Sequence, residues 1–225
     1  FKWVYPRLLN MKVKICGLKT SVEIDICVKA KADFIGFVFF KNSSRHLTFA
    51  KASELSGHYD NYYSNSNLKK VALCVNPTNG ELSNIIASSN ADILQLHGTE
   101  TPFRVEEIRQ KYALPIIKAI RVKNKTDIIA SKQYSNCTDW LLFDATASSN
   151  LPPGGNGECF DWSLLKNFEC DLPWMLAGGL NPNNVASAIA ECKPSGVDVS
   201  SGVEIIAGKK DPSLISAFVQ SAKMS

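Results

Sequence analysis

Gly196-Val197-Asp198-Val199-Ser200-Ser201-Gly202-Val203-Glu204, taken with Leu176-Ala177-Gly178-Gly179-Leu180, is the stretch on which the fold turns. Each piece is a short apolar run that ends in small residues and is followed by a segment of helical spacing. A strand that stops in Gly-Gly or Ser-Ser-Gly has no side chain there to keep an anion from its backbone N–H groups. Two such ends side by side make one nest for a phosphate, strengthened where a short helix begins. Either piece alone also fits an ordinary strand-to-helix turn, where Gly is common. The repeating unit to which both belong separates the two readings.

Outward from this stretch, Val/Ile/Phe/Leu-rich runs alternate with longer segments of helical period from Met11 onward. Strands are expected over 12–16, 33–40, 70–75, 92–97, 115–122, 138–145, 174–177 and 197–200. The intervening helices start at recognisable caps: Thr20, Thr48, Pro77-Thr78, Thr101-Pro102 and Asp211-Pro212. Further helices are expected near 125–134 and from Pro182 to Cys192. The segment 59–67, rich in Asn, Ser and Tyr, reads as an exposed loop inserted between units. Eight strand–helix units in 225 residues match the length of a single α/β (β/α)8 TIM barrel. A doubly wound open sheet would normally carry Gly-x-Gly-x-x-Gly after its first strand, where this chain has Cys16-Gly17-Leu18-Lys19. The barrel is therefore the expected architecture, over residues 11–225. Residues 1–10 read as an N-terminal extension outside the fold.

Hydrophobic and charged fractions of 45% and 20% are those of a globular protein. No apolar run approaches the ~18 residues of a membrane span. The net charge of +4 is spread along the chain, which suits a small anionic substrate and argues against nucleic acid. Seven Cys without Cys-x-x-Cys spacing predict a reduced intracellular protein and no zinc site.

In a barrel the chemistry lies where strands end, on the C-terminal face. Cys16 ends the first strand, with Gly17 after it, so its sulfur can enter the mouth; a buried structural Cys is the alternative. Asp144 follows Leu141-Leu142-Phe143 at the end of the sixth strand, as a site carboxylate or as a cap. A thiol and a carboxyl across one pocket make an acid–base pair if the thiol is partly ionised and the carboxyl partly protonated. Arg45, after the second strand, suits a bidentate clamp on a carboxylate, against the alternative of a solvated loop Arg. His97 reads as a supporting or structural residue beside Gln95, and His46 and His58 as loop and surface residues. Period-2 alternation puts Lys14 and Asp198 inside, on strands that meet when the barrel closes. They are expected to pair, because either charge buried alone would be very costly. Gly154, Gly155 and Gly157 permit a lid over the pocket, and equally permit disorder.

From Met11 on, the chain carries in order Lys14-Ile15-Cys16-Gly17, Gly36-Phe37-Val38-Phe39, Ser44-Arg45, Leu94-Gln95-Leu96-His97-Gly98 and Leu142-Phe143-Asp144. Gly154-Gly155-x-Gly157 before Phe160-Asp161-Trp162 follows, then the two stretches quoted first. This ordered set resembles the phosphoribosylanthranilate isomerase family, barrel enzymes of tryptophan biosynthesis. The resemblance implies an Amadori rearrangement of N-(5-phosphoribosyl)anthranilate with no metal or cofactor. It makes Asp144 the general acid and Cys16, as thiolate, the general base. Arg45 would hold the anthranilate carboxylate, and Gly178, Gly179, Ser201 and Gly202 the phosphate. A phosphorylated small molecule is the implied partner of a monomer or homodimer, in the cytoplasm, or in a plastid for a plant or algal source. Asn156 stands where the resemblance leads one to expect Thr or Ser. Two rivals remain at this point. One is the related sugar-phosphate isomerase of histidine biosynthesis, which typically uses two Asp; the other is a catalytically silent barrel.

Overall fold

A computed structural model describes residues 11–145, 161–166 and 168–225. The N-terminal extension and the glycine loop with Asn156 lie outside the described residues. Eight parallel strands close into a barrel in sequence order: β1 (Lys12–Cys16), β2 (Phe34–Phe39), β3 (Lys69–Cys74), β4 (Ile93–Leu96), β5 (Ile116–Val122), β6 (Trp140–Ala145), β7 (Trp174–Leu176) and β8 (Gly196–Val199). β8 pairs back onto β1. Closure rules out the open sheet, and every strand lies within two residues of its expected bounds.

The helices are α1 (Ser21–Lys29), α2 (Phe49–Tyr63), α3 (Asn79–Ser89), α4 (Pro102–Tyr112), α5 (Lys125–Ala130), α6 (Val185–Cys192) and α7 (Pro212–Lys223). Their starts follow local chemistry. Thr20–Glu23, Thr78–Glu81 and Asn124–Asp127 are reciprocal capping boxes, each satisfying backbone donors that the helix itself leaves unpaired. Pro102 and Pro212 occupy first-turn positions, where a missing N–H costs nothing. The sixth connection shows only the 3-10 turn Trp162–Leu165 among the described residues. The last unit carries a short hairpin, β9 (Glu204–Ile206) and β10 (Lys209–Lys210), before α7.

Two expectations need correction. The segment 59–67 is not an exposed loop, because α2 runs on to Tyr63 and only four residues connect it to β3's approach at Leu68. Tyr59 is buried and its hydroxyl donates to the Leu68 carbonyl at 2.7 Å, while Tyr63 reaches Asp25 at 2.9 Å. These tertiary contacts override the weak helix preference of Asn, Ser and Tyr. Pro182 does not open the sixth helix, which begins at Val185, after a turn in which the Asn184 side chain accepts from the Asn181 N–H at 2.8 Å.

The core forms in two shells. Leu, Ile, Val and Phe side chains on the outer faces of the strands pack beneath the helices. Inside the barrel, Phe34, Val71, Ile93, Ile117, Leu142 and Met175 fill the floor, as expected of a packed barrel rather than a pore. Above them Cys16, Val38 and Leu73 line the approach to the mouth. No helix among the described residues is long and apolar enough to cross a membrane.

Candidate active site

The barrel's register brings the expected residues together. Lys14 lies opposite Asp198 across the β1–β8 seam, and its Nζ donates to Asp198 Oδ1 at 2.9 Å. Both are buried, so the expected inward pair is present. Two residues on, Cys16 faces the same interior and lines a cavity of about 610 Å³, counting the part open to solvent. Arg45, His97, Asp144, Gly178, Gly179 and Ser201 line the same cavity. Gly202 does not. A Cβ there would collide with the Leu180 carbonyl, so Gly202 is what lets the β8 turn press against the β7 turn.

Cys16 is held between opposing influences. Burial pushes its thiol up, the Lys14 ammonium draws it back down, and Asp198 adds a further upward push; the net shift is upward. Burial pushes Lys14 down, but Asp198 and then Cys16 outweigh it, so Lys14 stays a firm cation. The Cys16 backbone is fixed too, its carbonyl accepting from Ser200 Oγ at 3.0 Å. An ammonium beside a buried sulfur favours the thiolate whenever a proton leaves.

Asp144 enters from β6, three strands from β1 by way of β7 and β8. His97 Nε2 stands 3.3 Å from Asp144 Oδ2, an ion-pair distance without hydrogen-bond geometry. On the other side of the ring, Nδ1 is 3.2 Å from Gln95 Nε2. His97 thus sits buried between Gln95 and the Asp144 carboxyl. His58 is half-buried on α2 and paired with Asp25 at 2.6 Å, not a free surface residue. His46 lies in the loop that carries Arg45, half-buried as well.

Arg45 is buried, not solvated. Its Nε donates to Glu204 Oε1 at 2.7 Å and its Nη2 to Glu204 Oε2 at 2.6 Å. Gly17 makes room for it, at a φ of 82° that favours glycine; a Cβ there would stand 2.5 Å from Arg45 Cδ. Glu204 Oε1 also accepts from Lys210 Nζ at 2.8 Å, and Lys210 reaches the Ser200 carbonyl at 2.9 Å. Sequence reading gave neither Glu204 nor Lys210 a role. The available signal was Glu204 closing the phosphate stretch, and Lys209-Lys210 looks like a surface pair.

Gly178 and Gly179 adopt φ values of 85° and 65°, and Ser201 opens a 3-10 turn Ser201–Val203. Two strand ends without bulky side chains thus meet at one wall of the cavity, the arrangement that receives an anionic group on backbone amides. Chemically the cavity combines a thiol beside an ammonium, a carboxyl and an arginine with an anion nest. Among the described residues no group of His, Cys, Asp and Glu is arranged to hold a metal ion.

Comparison with known proteins agrees with this geometry. The profile of the N-(5'phosphoribosyl)anthranilate (PRA) isomerase family matches residues 13–221. The N-(5'-phosphoribosyl)anthranilate isomerase of Parvibaculum lavamentivorans is 44% identical over 218 residues, covering 96% of this chain and 99% of its own. The crystal structure of phosphoribosyl anthranilate isomerase from Thermotoga maritima superposes with a TM-score of 0.84 at 32% identity, covering 96% of this chain and all of that one. Another solved phosphoribosyl anthranilate isomerase, bound to reduced 1-(o-carboxyphenylamino)-1-deoxyribulose 5-phosphate, gives 0.81 at 31% identity, with 96% and 100% covered. With the barrel, the thiol–carboxyl cavity and matches that run nearly end to end, the chain belongs to the N-(5'phosphoribosyl)anthranilate (PRA) isomerase family.

Proposed function

We propose that the protein catalyses the Amadori rearrangement of N-(5-phosphoribosyl)anthranilate to 1-(2-carboxyphenylamino)-1-deoxy-D-ribulose 5-phosphate, an aldose–ketose isomerisation in L-tryptophan biosynthesis. The observation that carries the reading is that Cys16 and Asp144, from strands far apart around the barrel, share one cavity with Arg45 and the Gly178-Gly179 turn. Asp144 acts as general acid and protonates the ribose ring oxygen. The C1′–O bond then breaks and a protonated Schiff base forms. Its positive nitrogen draws electrons from C2′, so that a thiolate is a strong enough base to take the C2′ proton. Cys16 takes it, aided by the ammonium of Lys14, and the electron pair left behind gives an enolamine. Gain of a proton at C1′ and loss of one from the C2′ hydroxyl complete the ketone. Atoms and charge balance without an external oxidant or reductant.

Arg45 holds the anthranilate carboxylate, and Gly178, Gly179 and Ser201 the phosphate, with Gly202 allowing the close approach of the two turns. The substrate is thereby gripped at both ends while chemistry proceeds between. The rival with two aspartates is disfavoured by Cys16, the cavity residue at the end of β1. The protein is proposed to act in the cytoplasm as a monomer or homodimer; one solved relative consists of monomers generated from the dimeric enzyme of Thermotoga maritima.

The test is loss of anthranilate-type fluorescence when freshly made phosphoribosylanthranilate meets the purified protein, Cys16→Ala and Asp144→Ala. Rapid loss with the parent and near-background rates with both variants is the expected result. A folded parent that gives no loss above background overturns the activity. An active Cys16→Ala or Asp144→Ala variant overturns that residue's role.

A further inference from the structure

The cavity's arginine is not held by its own loop alone. Glu204, 159 residues further along the chain, grips the Nε–Nη2 edge of Arg45 with both carboxylate oxygens. Its side chain is only 3% exposed and that of Arg45 10%. The same carboxylate takes a second cation, Lys210 Nζ, whose side chain is fully buried. Lys210 in turn donates to the backbone carbonyl and to Oγ of Ser200. Ser200 Oγ also contacts the Cys16 carbonyl. Burial pushes the Glu204 carboxyl up, but Arg45 and Lys210 outweigh it and hold it below the usual carboxylate range. The β9–β10 hairpin carries both Glu204 and Lys210, and a Cβ on its Gly208 would stand 2.8 Å from the Ser44 carbonyl, next to Arg45.

A buried ion pair of this kind seldom exists for stability, since an apolar replacement does as well. What it supplies is a fixed plane for the guanidinium. An arginine on a loop would otherwise lose rotamer freedom on meeting its ligand, and that loss would weaken binding. We propose that Glu204 is a positioning residue for the isomerisation: it presets Arg45 for the substrate's carboxylate, and Lys210 anchors Glu204 to the β8 turn. The inference rests on the isomerase reading, because it takes Arg45 to meet that carboxylate. It makes the hairpin a part of carboxylate recognition.

The test compares two ligands, the reduced product analogue 1-(o-carboxyphenylamino)-1-deoxyribulose 5-phosphate and its counterpart without the ring carboxylate. Their Kd values are measured by calorimetry for the parent, Glu204→Gln, Glu204→Asp and Arg45→Met. The parent is expected to prefer the carboxylated ligand, and Glu204→Gln to lose about tenfold of that preference while binding the other ligand within about twofold of the parent. KM for phosphoribosylanthranilate should rise by a similar factor with kcat little changed, Glu204→Asp should recover part of the loss, and Glu204→Gln should add nothing to Arg45→Met. Equal weakening for both ligands would reduce Glu204 to a structural role and overturn the inference, as would an unchanged preference. If Glu204→Gln proves too unstable to assay, Glu204→Asp decides by the same ligand comparison. A parent that binds neither ligand and turns over no substrate overturns the isomerase reading itself, an outcome distinct from a parent that binds both.

Discussion

A buried thiol is a poor base until it ionises, and Cys16 is buried beside a permanent cation. Its net shift is upward, with burial the largest cause and Lys14 the largest opposing one. The working pair is a Cys16 thiolate with a protonated Asp144, so kcat/KM should follow a bell, and the upward shift of the thiol should put its alkaline limb above the ordinary thiol range. An alkaline limb that already falls below the ordinary thiol range would place the base elsewhere. Cys16, Asp144 and Arg45 were legible in the sequence, because a reactive side chain directly after an apolar run, next to Gly or in a strand-end loop, is a local signal. The partners of Arg45 were not. Glu204 and Lys210 reach it only through the hairpin, and nothing within a few residues of Lys210 distinguishes it from Lys209. The burial of Arg45 was unreadable for the same reason, since its surroundings come from Gly17 and Glu204 on other units.

At the scale of elements, the helix starts were read from caps and the caps are in place. Thr78 accepts from the Glu81 N–H at 3.2 Å while Glu81 returns to the Thr78 N–H at 2.8 Å. Thr78→Ala should cost about 1 kcal/mol, read as a lowered denaturation midpoint with an unchanged slope. No change would mean that tertiary packing alone fixes the start of α3. The end of a helix was harder to read than its start, as α2 shows. The end of α2 has Asn61, Tyr62 and Tyr63, poor helix formers, and is kept helical by the contacts of Tyr59 and Tyr63 with distant backbone and Asp25. The β9–β10 hairpin has strands of three and two residues, too short for a period of two to show.

The whole molecule is a closed ring of strands, and the pair across its seam was predicted from alternation alone because an unpaired interior charge is so unfavourable. Removing one member, as in Lys14→Met, should destabilise by about 3–5 kcal/mol by leaving Asp198 buried without its partner. Lys14→Met combined with Asp198→Leu should recover much of that. Denaturant midpoints of the three proteins decide it, and a double variant no better than the single would mean that the pair specifies the seam rather than merely tolerating burial. The same seam has a bearing on how the chain is made. Lys14 and Asp198 are 184 residues apart, so β1 emerges from the ribosome long before its second neighbour exists. At ~5–20 residues per second that interval is about 10–40 s. Throughout it, β1 offers an unfilled hydrogen-bonding edge and carries a lysine on the face that will become the interior. An early lysine on that exposed edge is a deterrent to mispairing with other nascent chains, and it becomes a structural cation only when the last strand arrives.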